Sequence, residues 1–135
     1  MLEGFVEIPI ISGSTFMSLS NNGLAFNKNV VIKTGNPGYV KFLINQELKK
    51  FALQVSNESD PVAVKFIQPG MDIKNGVRYH NRDIEKLLAS MMNWDLNNLT
   101  YRIDGDYNDS CHAMIFDLNQ ARAFNKRRRS ATTEK

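Results

Sequence analysis

Few residues in this sequence have the chemistry to act on a substrate or an ion, and most of them gather in one stretch. Asp104, Asp106 and Asp109 fall within Asp-Gly-Asp-Tyr-Asn-Asp, where closely spaced carboxylates can attract a hard cation. The glycine position does not fit the twelve-residue calcium loop and no bidentate Glu follows, so the stretch reads as a polar hairpin turn. Cys111 and His112 come next. On a strand, neighbours point to opposite faces, so these two cannot act as nucleophile and base for each other. An enzyme built on Asp104, Asp106 and His112 is the weakest reading. Phosphate-binding glycine loops, nucleophile elbows and paired-histidine zinc motifs are absent, and no catalytic residue, metal or cofactor is expected.

The other candidate chemistry is electrostatic. Lys126-Arg127-Arg128-Arg129 is a flexible basic run suited to phosphate or another acidic surface, or simply to a solubilising tail. The chain as a whole carries +3, while residues 126–135 alone carry +4. The remaining body therefore sums to −1, and any phosphate-binding surface on it has to come from local clustering.

A chain of 135 residues, 42% hydrophobic and 23% charged, is expected to fold and can bury a core without a disulfide. Cys111 is the lone cysteine. No apolar run approaches bilayer-spanning length, and Met1-Leu2-Glu3-Gly4 lacks the opening of a signal peptide, so a cytoplasmic, non-membrane protein is expected.

Several elements must position these groups. Phe5–Ile11 reads as an edge strand, because Pro9 cannot donate a ladder hydrogen bond. Thr15–Ser20 and Leu24–Phe26 flank Asn21-Asn22-Gly23 as a hairpin, with Phe16 and Met17 or Leu19 directed to the core. Asn27 caps a short helix that Gly35 ends. Tyr39–Asn45 and Lys50–Val55 form a second hairpin, and Val62–Ile67 a further strand.

A boundary is expected at 68–76. Beyond it, Asn81 caps a helix whose Ile84, Leu87, Leu88, Met91 and Met92 recur at helical spacing and should lie on a sheet. Met91, Met92 and Trp94 suit either that core or a partner surface. Leu99–Asp104 and Cys111–Phe116 read as a strand pair turning at Gly105–Ser110, followed by helical residues 118–124. The predicted organisation is an α+β fold with a hairpin-rich sheet or barrel over residues 1–67. A helix-plus-hairpin lobe follows over 77–124, either separate from the first or one domain with it, and then a disordered basic tail over 125–135.

The order strand, Asn21-Asn22-Gly23 turn, short strand, Asn27-capped helix ending at Gly35, then a hairpin, resembles the swapped-hairpin domain of AbrB, MazE and SpoVT-like regulators over residues 18–56. Gly23 matches the family's turn glycine, Phe26 its inward apolar residue, Lys28 the basic residue opening the helix, and Gly35 the helix end. Asn27 stands where the family usually has proline, and no arginine occurs in residues 1–77. The resemblance implies a homodimer that exchanges hairpins and a DNA-binding face near the first hairpin and helix.

Two readings follow. In the first, the chain is a dimeric DNA-binding transcriptional regulator, with Asn21, Asn22, Lys28 and Lys33 approaching DNA while Lys126, Arg127, Arg128 and Arg129 add non-specific attraction. In the second, it is a small accessory or inhibitor protein, such as a mobile-element protein that blocks a nuclease, and its neutral body meets a protein partner.

Overall fold

The computed structural model describes residues 3–4 and 14–125. The expected Phe5–Ile11 strand and the run Lys126–Arg129 lie outside the described residues.

The strands are β1 (Phe16–Ser20), β2 (Gly23–Phe26), β3 (Tyr39–Asn45), β4 (Lys50–Val55), β5 (Val64–Lys65), β6 (Val77–Tyr79), β7 (Leu99–Asn108), β8 (Ala113–Asp117) and β9 (Arg122–Asn125). Among the described residues, two helices accompany them, α1 (Lys28–Lys33) and α2 (Arg82–Met92), with a single 3-10 turn at Leu118–Gln120. All strands join one antiparallel sheet in the order β5-β3-β4-β8-β7-β1-β2-β6, with β9 beside β7, and the sheet curls into a half-barrel. The chain is therefore a sheet-rich α+β protein. Among the described residues, no helix is long and apolar enough to cross a membrane.

Alternation decides which face of each strand turns inward. Met17, Leu19, Leu24, Phe26, Phe51, Leu53, Ile103, Met114 and Phe116 fill the concave side, all essentially removed from solvent. Phe26 is the hub, with ring centroids 6.0 Å from Phe42, 5.6 Å from Phe66 and 6.0 Å from Phe116. Phe16 falls on the opposite parity from Met17 and Leu19, so it points to the convex face rather than into the core as its apolarity suggested. Burying it would require a register slip that exposed both neighbours.

β7 organises the sheet by changing partners along its length. Its residues 101–104 pair with β1 on one edge, and on the other edge residues 99–102 pair with β9 and residues 105–108 with β8. The last hairpin consequently turns at 109–112, later than the composition of Asp104–Asp109 suggested, and His112 takes a positive φ of 52° there. Gly105 marks the exchange of partners. A Cβ at this position would lie 2.8 Å from Phe116 Cε1 and 2.9 Å from Met114 Cγ, so only glycine leaves room for these two core side chains.

The expected helix at 118–124 is instead the 3-10 turn followed by β9. Asp117 Oδ1 accepts from Asn119 N (3.1 Å), Leu118 N donates to Lys49 O (2.9 Å), and the buried Leu118 plugs the core. Extending the helix would leave the backbone of residues 99–102 without a partner on that edge, and β9 satisfies it. The expected strand over Val62–Ile67 shrinks to Val64–Lys65. Val62 N is drawn into a turn by Asp60 Oδ1 (3.1 Å), and Phe66 N bonds Gly38 O (2.8 Å) beyond the end of β3.

β5 and β6 are the two ends of the sheet, and residues 66–76 carry the chain from one to the other. Phe66 on this crossing is buried against Phe26. α2 begins at Asn81, whose Oδ1 accepts from Ile84 N (3.0 Å), and ends at Asn93 in the left-handed region. It buries Leu88 fully and rests Ile84, Met91 and Met92 on the core margin, while Leu87 is exposed. Trp94 follows and stacks on Tyr101 at 4.4 Å between centroids.

Candidate nucleic-acid interface

Register brings the basic residues together. Arg78 pairs with Ala25, Ala25 with Ser18, Ser18 with Arg102, and Arg102 with Arg122, a row that crosses β6, β2, β1, β7 and β9 on the convex face. Directly paired residues of an antiparallel sheet project to the same side. Strands lie about 4.8 Å apart, so Arg78 and Arg102 stand roughly 14 Å from each other, with Ala25 and Ser18 as the low floor between them.

That floor opens into a shallow trough of ≈ 620 Å³ lined by Ser18, Ser20, Asn21, Asn22, Ala25, Arg78 and Thr100. Gly23 has φ 110° in the turn, and a Cβ there would meet His80 Nδ1 at 2.9 Å, so the tight approach of this corner to His80 depends on glycine.

Each arginine is held differently. Arg78 Nη1 donates to Asn22 O (3.2 Å), which ties it to the turn. The Arg102 guanidinium lies over Phe16 at 4.0 Å from the ring centroid and 5.6 Å from that of Phe124. It forms no hydrogen bond among the described residues, and its Nε is buried without a partner. Arg122 Nη2 meets Asp104 Oδ1 at 3.1 Å, both side chains being more than half exposed. Planar guanidinium forks of this kind match phosphate oxygens better than lysine does.

The residues expected to bind divide into two groups. Asn21 and Asn22 sit in the β1–β2 turn, exposed, at the arginine end of the trough. Lys28 and Lys33 occupy α1, which follows the far end of β2 and so lies at the other end of that hairpin. Lys33 Nζ stands 5.8 Å from the Tyr107 ring and lines a hollow with Asp104 and Asp106, an acidic neighbourhood. Lys126–Arg129 lie outside the described residues.

Arg78, Arg82, Arg102 and Arg122 escaped the sequence reading, since they are spread over 45 positions and show no clustering along the chain. Their signal was parity. Each of Arg78, Arg102 and Arg122 interrupts an apolar neighbour pattern on its own strand, but the pairing that aligns them is not local.

The carboxylate-rich segment does not assemble a centre. Asp104 and Asp106 lie exposed on β7 and Asp109 in the following turn. Tyr107 Oη approaches His112 Nδ1 at 3.5 Å. Burial, helped by the nearby charges of Asp109 and Cys111, raises the Tyr107 phenol above its usual 10.0. Cys111 is exposed. No group of three metal-binding side chains stands together among the described residues.

No protein-family model matches the chain, and neither curated proteins nor solved structures give a significant match.

Proposed function

We propose that this protein binds nucleic acid through the convex face of β6, β2, β1, β7 and β9, and that it acts as a DNA-binding regulator of transcription. The observation that carries the reading is the aligned row Arg78, Arg102 and Arg122, set beside the Asn21–Asn22 turn. Residues 1–125 sum to −1, yet their arginines concentrate on this side, so the local charge is opposite in sign to the average. Arg78, Arg102 and Arg122 take phosphates and fix the position of the duplex, while Asn21 and Asn22 reach base edges. The basic run Lys126–Arg129 supplies non-specific attraction through its charge. A homodimer, as the resemblance to swapped-hairpin regulators implies, presents two such faces and gains affinity by avidity.

Anisotropy of labelled duplex DNA tests this, with the full chain, a chain ending at Asn125, and Arg78→Gln in each. The expected result is that the shortened chain still binds, with sequence preference, and that Arg78→Gln weakens it. If binding disappears with the tail, the folded body is not a DNA reader, and the search turns to a protein partner.

A further inference from the structure

We infer that the hollow between α2 and the β1–β2 turn is a pocket for a single nucleotide, an inference that rests on the nucleic-acid reading and names the unit of ligand this corner takes. The hollow measures ≈ 310 Å³ and is lined by Arg82, Lys86, Trp94, Leu96, Asn21 and Asn97. That volume sits at the lower end of the roughly 300–1,000 Å³ range of small-molecule sites.

Its chemistry is divided in the way a nucleotide is divided. Arg82 and Lys86 are one helical turn apart on α2, both exposed, and neither makes an ion pair or hydrogen bond among the described residues. Glu85 also borders the hollow, but its Oε2 accepts from Asn81 N (3.1 Å), which commits the carboxylate to the start of the helix. The two cations therefore remain available to a phosphate.

Trp94 and Leu96 in the same lining supply an apolar wall for a planar ring. The Trp94 indole is fixed by its stack on Tyr101, nearly parallel at 11°, and Tyr101 Oη accepts from Asp95 N (2.9 Å). A wall held in this way loses little freedom when a base packs on it. Asn21 and Asn97 add amide donors and acceptors at the rim, the groups that read base edges. Asn21 also lines the trough of the arginine row, so the pocket adjoins the path proposed for the phosphates. Such a pocket takes either a free nucleotide or one nucleotide of a bound strand.

Trp94 is the sole tryptophan of the chain, so the emission has one source and that source lines the pocket. The full-length protein is titrated with 5′-AMP, with adenosine, with inorganic phosphate and with a single-stranded 12-mer, and Trp94 emission is recorded alongside anisotropy of the labelled strand. Saturable quenching is expected. The two half-ligands should bind at least about tenfold more weakly than the nucleotide, and Arg82→Gln/Lys86→Gln should weaken quenching about tenfold or more with the melting temperature unchanged.

Quenching by 5′-AMP assigns a free nucleotide, and quenching by the strand alone assigns a nucleotide held within a strand. Emission that stays constant while anisotropy reports a bound strand overturns the pocket and leaves the arginine row standing. Equal quenching in the double variant overturns it too. Quenching by 5′-AMP while labelled duplex DNA shows no anisotropy change overturns the arginine row instead and leaves the pocket standing.

Discussion

Arg102 and Arg122 face each other directly across β7 and β9, two like charges at opposed positions of one antiparallel pair. Such a pair is destabilising, by about 0.2–1 kcal/mol relative to neutral residues. The Phe16 ring against Arg102 and the exposed Asp104 beside Arg122 offset part of this. Arg122→Thr should therefore leave folding stability unchanged, or raise it by up to about 1 kcal/mol in urea denaturation, while weakening nucleic-acid binding severalfold. A variant that lost stability and kept its affinity would contradict both expectations.

Salt dependence separates the arginine row from the lysines of α1. Each phosphate neutralised on duplex DNA contributes about −0.9 to the slope of log K against log salt. In the chain ending at Asn125, Arg78→Gln and Arg122→Gln should each flatten that slope by about 0.9. Lys28→Gln and Lys33→Gln should leave it where it was, since α1 lies at the other end of the hairpin and Lys33 faces Asp104 and Asp106. The reverse pattern would move the interface to α1.

Asn27 joins the first hairpin to α1 through both its backbone and its side chain. Its N donates to Phe16 O (3.1 Å), its Oδ1 accepts from Phe16 N (3.2 Å) and Val30 N (3.1 Å), and its Nδ2 donates to Ser14 O (2.8 Å). Loss of the side chain in Asn27→Ala should cost about 1–2 kcal/mol by thermal or chemical denaturation. Asn27→Pro should cost more, because it also removes the N–H bonded to Phe16. Equal stability of the two variants would show that this backbone bond contributes nothing.

Gly105→Ala places a methyl group into the side chains of Phe116 and Met114. Overpacking of this kind costs about 1–3 kcal/mol. Combining it with Met114→Val should recover part of the loss, a coupling that a double-mutant cycle measures directly.

Among the described residues, Asp60 is placed to contribute to acid stability. Asp60 accepts from Ser56 Oγ (2.7 Å) and from Val62 N (3.1 Å) and meets Lys41 Nζ at 3.3 Å, and these contacts hold its carboxyl below the usual 3.8. A carboxylate with a depressed folded value adds stability above the unfolded value and surrenders it as pH falls through the folded one. The wild type should therefore lose stability below about pH 3.8, and Asp60→Asn should flatten that limb while lowering stability at neutral pH. An unchanged limb in urea melts between pH 2 and 5 would remove Asp60 from the account.

Local signals carried much of the fold. The β1–β2 and β3–β4 hairpins and the Asn81-capped helix follow from turn residues and periodicity in their own windows, and each stands where those features put it. Long-range pairing had no such signature. Nothing near Leu99–Asn108 announces a strand that holds β1 on one edge and passes from β9 to β8 on the other, and β9 fills the part of that edge which β8 leaves open. The same limit hid the candidate site. Asn21 and Asn22 were visible as a polar turn, while Arg78, Arg102 and Arg122 become neighbours only once the strand order is known. Phe16 illustrates the cost of reading apolarity without parity, since its ring serves an arginine on the outside.

The central position of β7 and β8 also sets the order of events during synthesis. β1 and β4 each acquire their inner neighbour from residues 99–117, long after their own hairpins have left the ribosome. Until then both hairpins present an unpaired strand edge, the feature most prone to wrong pairing between chains. At about 5–20 residues per second, that interval lasts several seconds. Completion of the sheet is therefore a late, non-local step, so the protein should fold on the slow millisecond-to-second scale of sheet proteins.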